Sequence, residues 1–220
     1  MVMSRSTLNG AGTSSFELLR GGQIVRVANG DWYVFAIETT GTGSNAYLHW
    51  QKSTDSGRTC VIRKSAIDAF VIALAIWYDR WTPGDTTGNL IHIAWMETTE
   101  DAVYYANLDT STDTVSAPVL VFDGATFAGG AGASVSITKA KGGNLIIVYN
   151  GDGGTEEGAE KSTDGGATFG AITNPGEAVD DWFIALPGNY ADTNDIDLIY
   201  WDRSADAITY KTYDDSATTW

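Results

Sequence analysis

The sequence predicts an all-β chain, a β-propeller of four blades. Three observations predict it: a turn motif that recurs about every 50 residues, the same order of strand-like runs within each recurrence, and no segment with a sustained helical period.

The turn motif is clearest in two segments, Lys52-Ser-Thr-Asp55-Ser-Gly57-Arg-Thr59-Cys60 and Lys161-Ser-Thr-Asp164-Gly-Gly166-Ala-Thr168-Phe169, both of the form S-x-D-x-G-x-T followed by an aromatic or its substitute. Two looser copies carry an inserted residue, Asn107-Leu-Asp109-Thr-Ser111-Thr-Asp-Thr114-Val115 and Thr212-Tyr-Asp214-Asp-Ser216-Ala-Thr-Thr219-Trp220. The key aspartates, Asp55, Asp109, Asp164 and Asp214, are spaced 54, 55 and 50 residues apart, the range of propeller blades.

Each repeat opens on a β-rich run: 23–28, 70–77, 134–139 and 182–186. A second, nearly continuous apolar run follows at 32–37, 90–96, 145–149 and 196–201, as expected for strands buried on both faces. A third leads into the motif at 47–52, 103–107, 159–161 and 208–211. Three motifs are followed by a short fourth run, for example 61–62 and 118–122. Gly, Asn and Asp turn signals such as Asn29-Gly30-Asp31 separate them. The blades therefore span about 20–65, 66–121, 122–175 and 176–220, within a domain of 13–220 behind a tail of 1–12. The strand-like stretch 13–19 could complete the last blade and close a four-bladed ring. The alternative is that the chain is part of a six- or seven-bladed propeller.

At such a turn an aspartate accepts hydrogen bonds from its own backbone N–H groups, Gly57 and Gly166 suit a positive φ, and a terminal aromatic plugs into a sheet. Asp55, Asp109, Asp164 and Asp214 are thus expected to be structural. Cys60 replaces the aromatic and is expected to be buried and inert.

The net charge of −15, from 28 acidic and 13 basic residues, disfavours nucleic acid as a partner. A single cysteine excludes an internal disulfide and a cysteine-built metal site. Residues 1–22 show no apolar core of a signal peptide, the longest apolar run, 69–78, is about half a membrane span, and no Asn-x-Ser/Thr sequon is present. Synthesis in the cytoplasm is expected, and a component of a virus or phage particle fits the same features.

The four turns resemble the Asp-box (bacterial neuraminidase) repeats of sialidases and related propellers, over nearly the whole chain. In that family the boxes lie away from the active site, which is built from blade entries and from loops between second and third strands. The resemblance therefore places Arg20, Glu38, Arg63, Asp68, Glu97, Asp101, Asp152, Glu156, Glu157, Asp180, Asp181, Asp202 and Arg203 on the functional face. Arg20 falls where the family's first motif arginine stands, without the Ile-Pro that follows it there. Asp68 falls where the family keeps an acid/base aspartate, and Arg203 where a substrate arginine lies. The family's third arginine and its nucleophilic Tyr–Glu pair come from late blades, and the acidic face here repels an anionic sugar.

Two further candidates stand outside that resemblance. Trp77-Tyr78-Asp79-Arg80-Trp81 opens the longest insertion, and Trp77, Tyr78, Arg80 and Trp81 offer the aromatic and polar groups that bind sugars. The Gly-rich acidic loop 150–157 could hold Ca²⁺ through Asp152, Glu156 and Glu157, although it lacks EF-hand spacing. His49 and His92 read as ordinary sheet residues. The expected function is a non-enzymatic propeller that binds a glycan or protein, the alternative a whole or truncated sialidase-like glycoside hydrolase, and a third option a structural scaffold.

Overall fold

The computed structural model of the protein describes residues 15–17, 24–39, 46–64, 70–97, 99–124, 134–151, 157–176, 182–188, 194–202 and 205–220. It is all-β, with four antiparallel sheets in chain order. Among the described residues the only helical element is one 3-10 turn, Asp79–Trp81, so none is long and apolar enough to cross a membrane. The chain divides into two compact units, residues 1–71 and 72–220.

The first unit holds the first sheet: β1 (Ser15–Glu17), β2 (Ile24–Arg26), β3 (Trp32–Thr39), β4 (Ala46–Ser53) and β5 (Val61–Lys64). Its centre is the β3–β4 ladder, on which Tyr33, Phe35, Leu48 and Trp50 are buried. The stretch 13–19, one candidate to finish the last blade, supplies a strand here, with Ser15 opposite Thr39 and Glu17 opposite Ile37. Ile24 then pairs with Val34, so β1 and β2 both lie along β3.

The second unit holds three sheets. The second comprises β6 (Val71–Tyr78), β7 (Leu90–Glu97), β8 (Ala102–Asp109), β9 (Thr114–Val115) and β10 (Val119–Asp123). The third comprises β11 (Ser134–Lys139), β12 (Leu145–Asn150), β13 (Glu157–Ser162) and β14 (Gly170–Ala171), and the fourth β15 (Trp182–Pro187), β16 (Ile196–Asp202) and β17 (Ala207–Tyr213). The sheets stack through their side chains. One apolar cluster joins the second and third sheets through Ala94, Met96, Val103, Tyr105, Ile147 and Tyr149. Another joins the third and fourth through Ile146, Val148, Phe183, Leu198 and Tyr200.

Burial follows that stack. β12 is buried at all six positions and β7 at seven of eight, as their unbroken apolar runs predict. β16 departs from the prediction: Leu198 is fully buried against the third sheet, while Ile199 on the other face is 40% exposed.

The turn motifs close the third strands. In the first, Ser53 Oγ accepts from Gly57 N at 2.8 Å, and Asp55 accepts from Ser53 Oγ, Thr59 N and Thr59 Oγ1 at 2.7–2.8 Å. The third motif repeats this around Asp164, with Ser162, Gly166 and Thr168. These bonds hold the Asp55 carboxyl down at about 2, the Thr59 N–H contributing most, and hold Asp164 low as well. Gly166 is fixed twice over: its φ is +95°, and a Cβ there would run into the Tyr105 ring of the second sheet. The looser motifs are less braced. The Asp109 carboxyl accepts from Ser111 and the Asp214 carboxyl from Ser216 and Ala217, while Thr219 meets Asp214 through the backbone, Asp214 N donating to the Thr219 carbonyl at 2.9 Å and Thr219 N to the Asp214 carbonyl at 3.3 Å. Cys60 is only half-buried, a correction to the expectation; with no aromatic ring there, the turn does not draw it into a sheet.

Candidate functional site

The insertion between β6 and β7 is the most elaborate polar construction among the described residues. It lies at the end of the second sheet that carries Asp109, since Leu90 pairs with Asp109, and opposite the end with Glu97 and Asp101.

Asp79 is its anchor, with 3% exposure. Its Oδ1 accepts from Lys139 Nζ at 2.6 Å and from His92 Nε2 at 3.0 Å, and its Oδ2 accepts from Leu90 N at 2.8 Å. A carboxylate only accepts, so His92 carries its proton on Nε2 and Nδ1 receives the Tyr105 hydroxyl at 2.7 Å. Burial alone would raise the Asp79 carboxyl, but bonds from His92, Lys139 and Leu90 outweigh it and hold the group well below the carboxylate range. Burial pushes His92 down, so the ring is neutral. Burial also opposes the Lys139 charge, and Asp79 and Asp85 more than restore it. Gly88 is required beside this anchor, because a Cβ there would strike the Asp79 side chain.

A second tier surrounds the anchor. Asp85 accepts from Gly88 N at 2.8 Å, Thr87 N at 3.1 Å and Lys139 Nζ at 3.1 Å. Thr82 receives Trp77 Nε1 at 3.0 Å and donates to the Lys139 carbonyl at 2.9 Å. Beside these groups lies an open depression of 380 Å³, bounded by Thr82, Asp85 and Thr87 of the insertion and by Lys139, Lys141 and Gly142 of the β11–β12 turn.

The four aromatic and basic candidates of the insertion are placed unequally. Trp77 and Tyr78 are buried, at 8% and 3% exposure. Arg80 is tied by Nε to the Gly88 carbonyl at 2.9 Å. Trp81 is 39% exposed and stands edge-on to the rings of Trp77 and Tyr78, at 5.7 and 6.4 Å.

At the opposite end, both Glu97 oxygens are taken by backbone donors, Thr99 N at 2.6 Å and Glu100 N at 2.7 Å. Asp202 accepts from Ala205 N at 2.9 Å. Glu157 sits at the start of β13, opposite Asn150. Arg20, Asp68, Asp152, Glu156, Asp180, Asp181 and Arg203 lie outside the described residues, as do the side chains of Glu38 and Arg63. Among the described residues no three His, Cys, Asp or Glu side chains converge as a metal site.

Asp79, Asp85, His92, Tyr105 and Lys139 are the residues that sequence reasoning passed over. The available signal was an aspartate enclosed by Trp-Tyr and Arg-Trp, together with a histidine inside an otherwise apolar strand.

No family model and no curated protein sequence matches the chain. Solved structures match it by fold. One is a protein of unknown function from Dyadobacter fermentans (TM-score 0.56, 16% identity, covering 86% of this chain and 58% of that one). A Hadza microbial sialidase matches with TM-score 0.58 and 16% identity, covering 90% and 44%. The exo-β-1,3-galactanase of Phanerochaete chrysosporium matches with TM-score 0.54 and 11% identity, covering 89% and 46%. This chain thus spans about half the length of the structures it matches. The sialidase and the galactanase are β-propeller-type glycoside hydrolases, so the four sheets share their fold with proteins of that type.

Proposed function

We propose that this chain is an Asp-box β-propeller module, its four sheets being four blades, and that it binds a glycan without cleaving it. The observation that carries the reading is Trp81: a half-exposed indole held by Trp77 and Tyr78, one residue from a depression edged by threonine hydroxyls, a lysine and an aspartate. A fixed aromatic face beside polar groups suits a sugar, whose C–H face stacks while its hydroxyls bond. The depression is of the volume that small-ligand sites occupy. Glycan-directed proteins among the matches of fold support the same ligand class.

Binding is preferred to hydrolysis here on three of the described carboxylates. A hydrolase needs two of them free to reach the glycosidic bond. Glu97, Asp79 and Asp85 instead spend their oxygens on backbone N–H groups, His92 and Lys139.

The test is a broad glycan array with the purified chain and Trp81→Ala, alongside chromogenic glycosides with wild type and Asp68→Asn. The expected result is binding that falls at least about tenfold in Trp81→Ala, as for loss of a stacked ring, and no turnover. Turnover that vanishes in Asp68→Asn would establish the hydrolase. A blank array on folded protein would leave a protein-binding or scaffold role.

A further inference from the structure

The depression beside Asp85 has walls from two sheets of the second unit, Thr86 and Thr87 of the insertion on one side and Lys139, Lys141 and Gly142 of the β11–β12 turn on the other. Its acceptors are largely spent. Asp85 Oδ1 takes Thr87 N and Gly88 N, and Oδ2 takes Lys139 Nζ. The Asp79 oxygens behind them are buried and bonded to Lys139, His92 and Leu90. Donors are left over. Lys139 keeps one N–H beyond those it gives Asp79 and Asp85. Lys141 is exposed and keeps all three, since among the described residues no carboxylate or carbonyl pairs with it. That sets it apart in a chain of 28 acidic and 13 basic residues. Lys52, Lys139 and Lys161 each hold an aspartate, and Lys211 holds the Pro175 carbonyl. The turn that carries Lys141 is also fixed in place. Ala140 N bonds to the Asn144 carbonyl and Gly143 N to the Ala140 carbonyl, both at 2.9 Å, and Gly142 lies too close to Asn194 to bear a Cβ.

We propose that this depression takes the negatively charged substituent of a glycan, a hexuronate carboxylate or a sulfate ester, with Lys141 and the remaining N–H of Lys139 as its donors. The inference rests on the glycan reading above and names the class of sugar. A carboxylate or a sulfate only accepts hydrogen bonds, which is what a donor-rich site complements. A neutral sugar brings hydroxyl protons as well, and for those the depression offers little beyond the threonine hydroxyls and one remaining lone pair on Asp85. Bonds from an ammonium to an anion are also shorter and stronger than those to a neutral hydroxyl. The charge of −15 on the chain opposes an anion only weakly here, because charges more than about 8 Å away are screened at physiological salt. At the opposite end of the second sheet Glu97, Glu100 and Asp101 crowd together, so an anion is turned away from that end and not from this one.

The experiment is an array of neutral, hexuronate-bearing and sulfated glycans, probed with the full chain, Trp81→Ala, Lys141→Gln and Lys141→Arg at about 0.05 and about 0.5 M salt. The inference expects wild-type signal confined to the charged glycans and weaker at the higher salt, the hexuronate and sulfated sets showing which anion is taken. It expects Lys141→Gln to weaken that binding at least about tenfold, near the loss of one charge-assisted bond, and Lys141→Arg to keep most of it. Lys141 is exposed on a turn, so both variants should fold, and their thermal unfolding checks that they do. Neutral glycans bound as well as charged ones, and lost in Trp81→Ala but not in Lys141→Gln, overturn this inference and leave the glycan reading standing. Charged glycans held equally by wild type and Lys141→Gln overturn it as well. A blank array on folded protein overturns both readings.

Discussion

The seam between the second and third sheets and the outer face of the fourth sheet are built from the same kind of strand and end in opposite environments. At the seam, Ile147 and Tyr149 of β12 are covered by the second sheet, and Phe169 of the third sheet's turn packs on Tyr105 at 5.1 Å. Polar groups close the seam as well, since Asp79 and Asp85 from the second sheet's insertion grip Lys139 at the end of β11. On the fourth sheet, Ile184, Ile199 and Tyr210 form an apolar row whose side chains are 59%, 40% and 72% exposed. Strands of like apolar pattern thus reach different burial, and what packs upon each face decides it.

The largest effect should come from breaking the polar half of the seam. Asp79→Asn leaves Lys139 without its principal counterion and disturbs the acceptor for His92. Loss of one member of a buried pair costs about 3 kcal/mol, even with Asp85 still in place. Urea denaturation should show it, and a cost below about 1 kcal/mol would mean that the apolar cluster holds the seam unaided. The same carboxyl, held low in the fold, adds stability that is fully present above about pH 4 and is lost as pH falls below that value. The wild type should therefore lose this part of its stability in acid, and Asp79→Asn should not.

That network was the least legible part of the chain. Asp79 meets His92 across 13 residues and Lys139 across 60, and no local periodicity encodes a meeting of that kind. The strands were legible because each is a local pattern: β3, β7, β12 and β16 fall on the four second runs. The two tight turns were legible because Ser, Asp, Gly and Thr bond within eight residues of one another. Pairing was legible only between consecutive runs, where short turns leave little choice of neighbour. The choice made by Ser15–Glu17, which joins β3, was not, because a strand's edge is the same polar ladder whichever sheet it meets. At the candidate site, the Trp77–Trp81 cluster was visible as a run of aromatics, but which ring faced water depended on the fold of the insertion.

Acidity offers a second way to sharpen the contrast, with a somewhat smaller effect. Glu160 of β13 is 5% exposed, and burial at the seam raises its carboxyl to about 7, with a bond from Tyr149 opposing the rise. A group raised in the fold stabilises below its unfolded value, here 4.5, and that contribution is lost as pH rises through about 7. The seam should weaken by about 2 kcal/mol between pH 5 and pH 8, near the shift at 1.36 kcal/mol per unit with allowance for partial solvation. Glu160→Gln should flatten thermal unfolding over that window. A wild-type profile already flat between pH 5 and pH 8 would show that Glu160 is charged throughout. Among the described residues the outer face of the fourth sheet has no buried carboxylate and should contribute nothing to this slope.

The smallest effect should arise on the outer face of the fourth sheet. Ile199→Ala removes a side chain already 40% exposed, so it should cost below about 1 kcal/mol, well under the roughly 2–5 kcal/mol of a truncation inside a core. Thermal unfolding of wild type and variant checks it. A small gap means that exposure at Ile199 sets its cost, whatever the apolar pattern of its strand. A gap in the core range means that Ile199 packs as deeply as Val148, and that the two faces differ less than their exposures indicate.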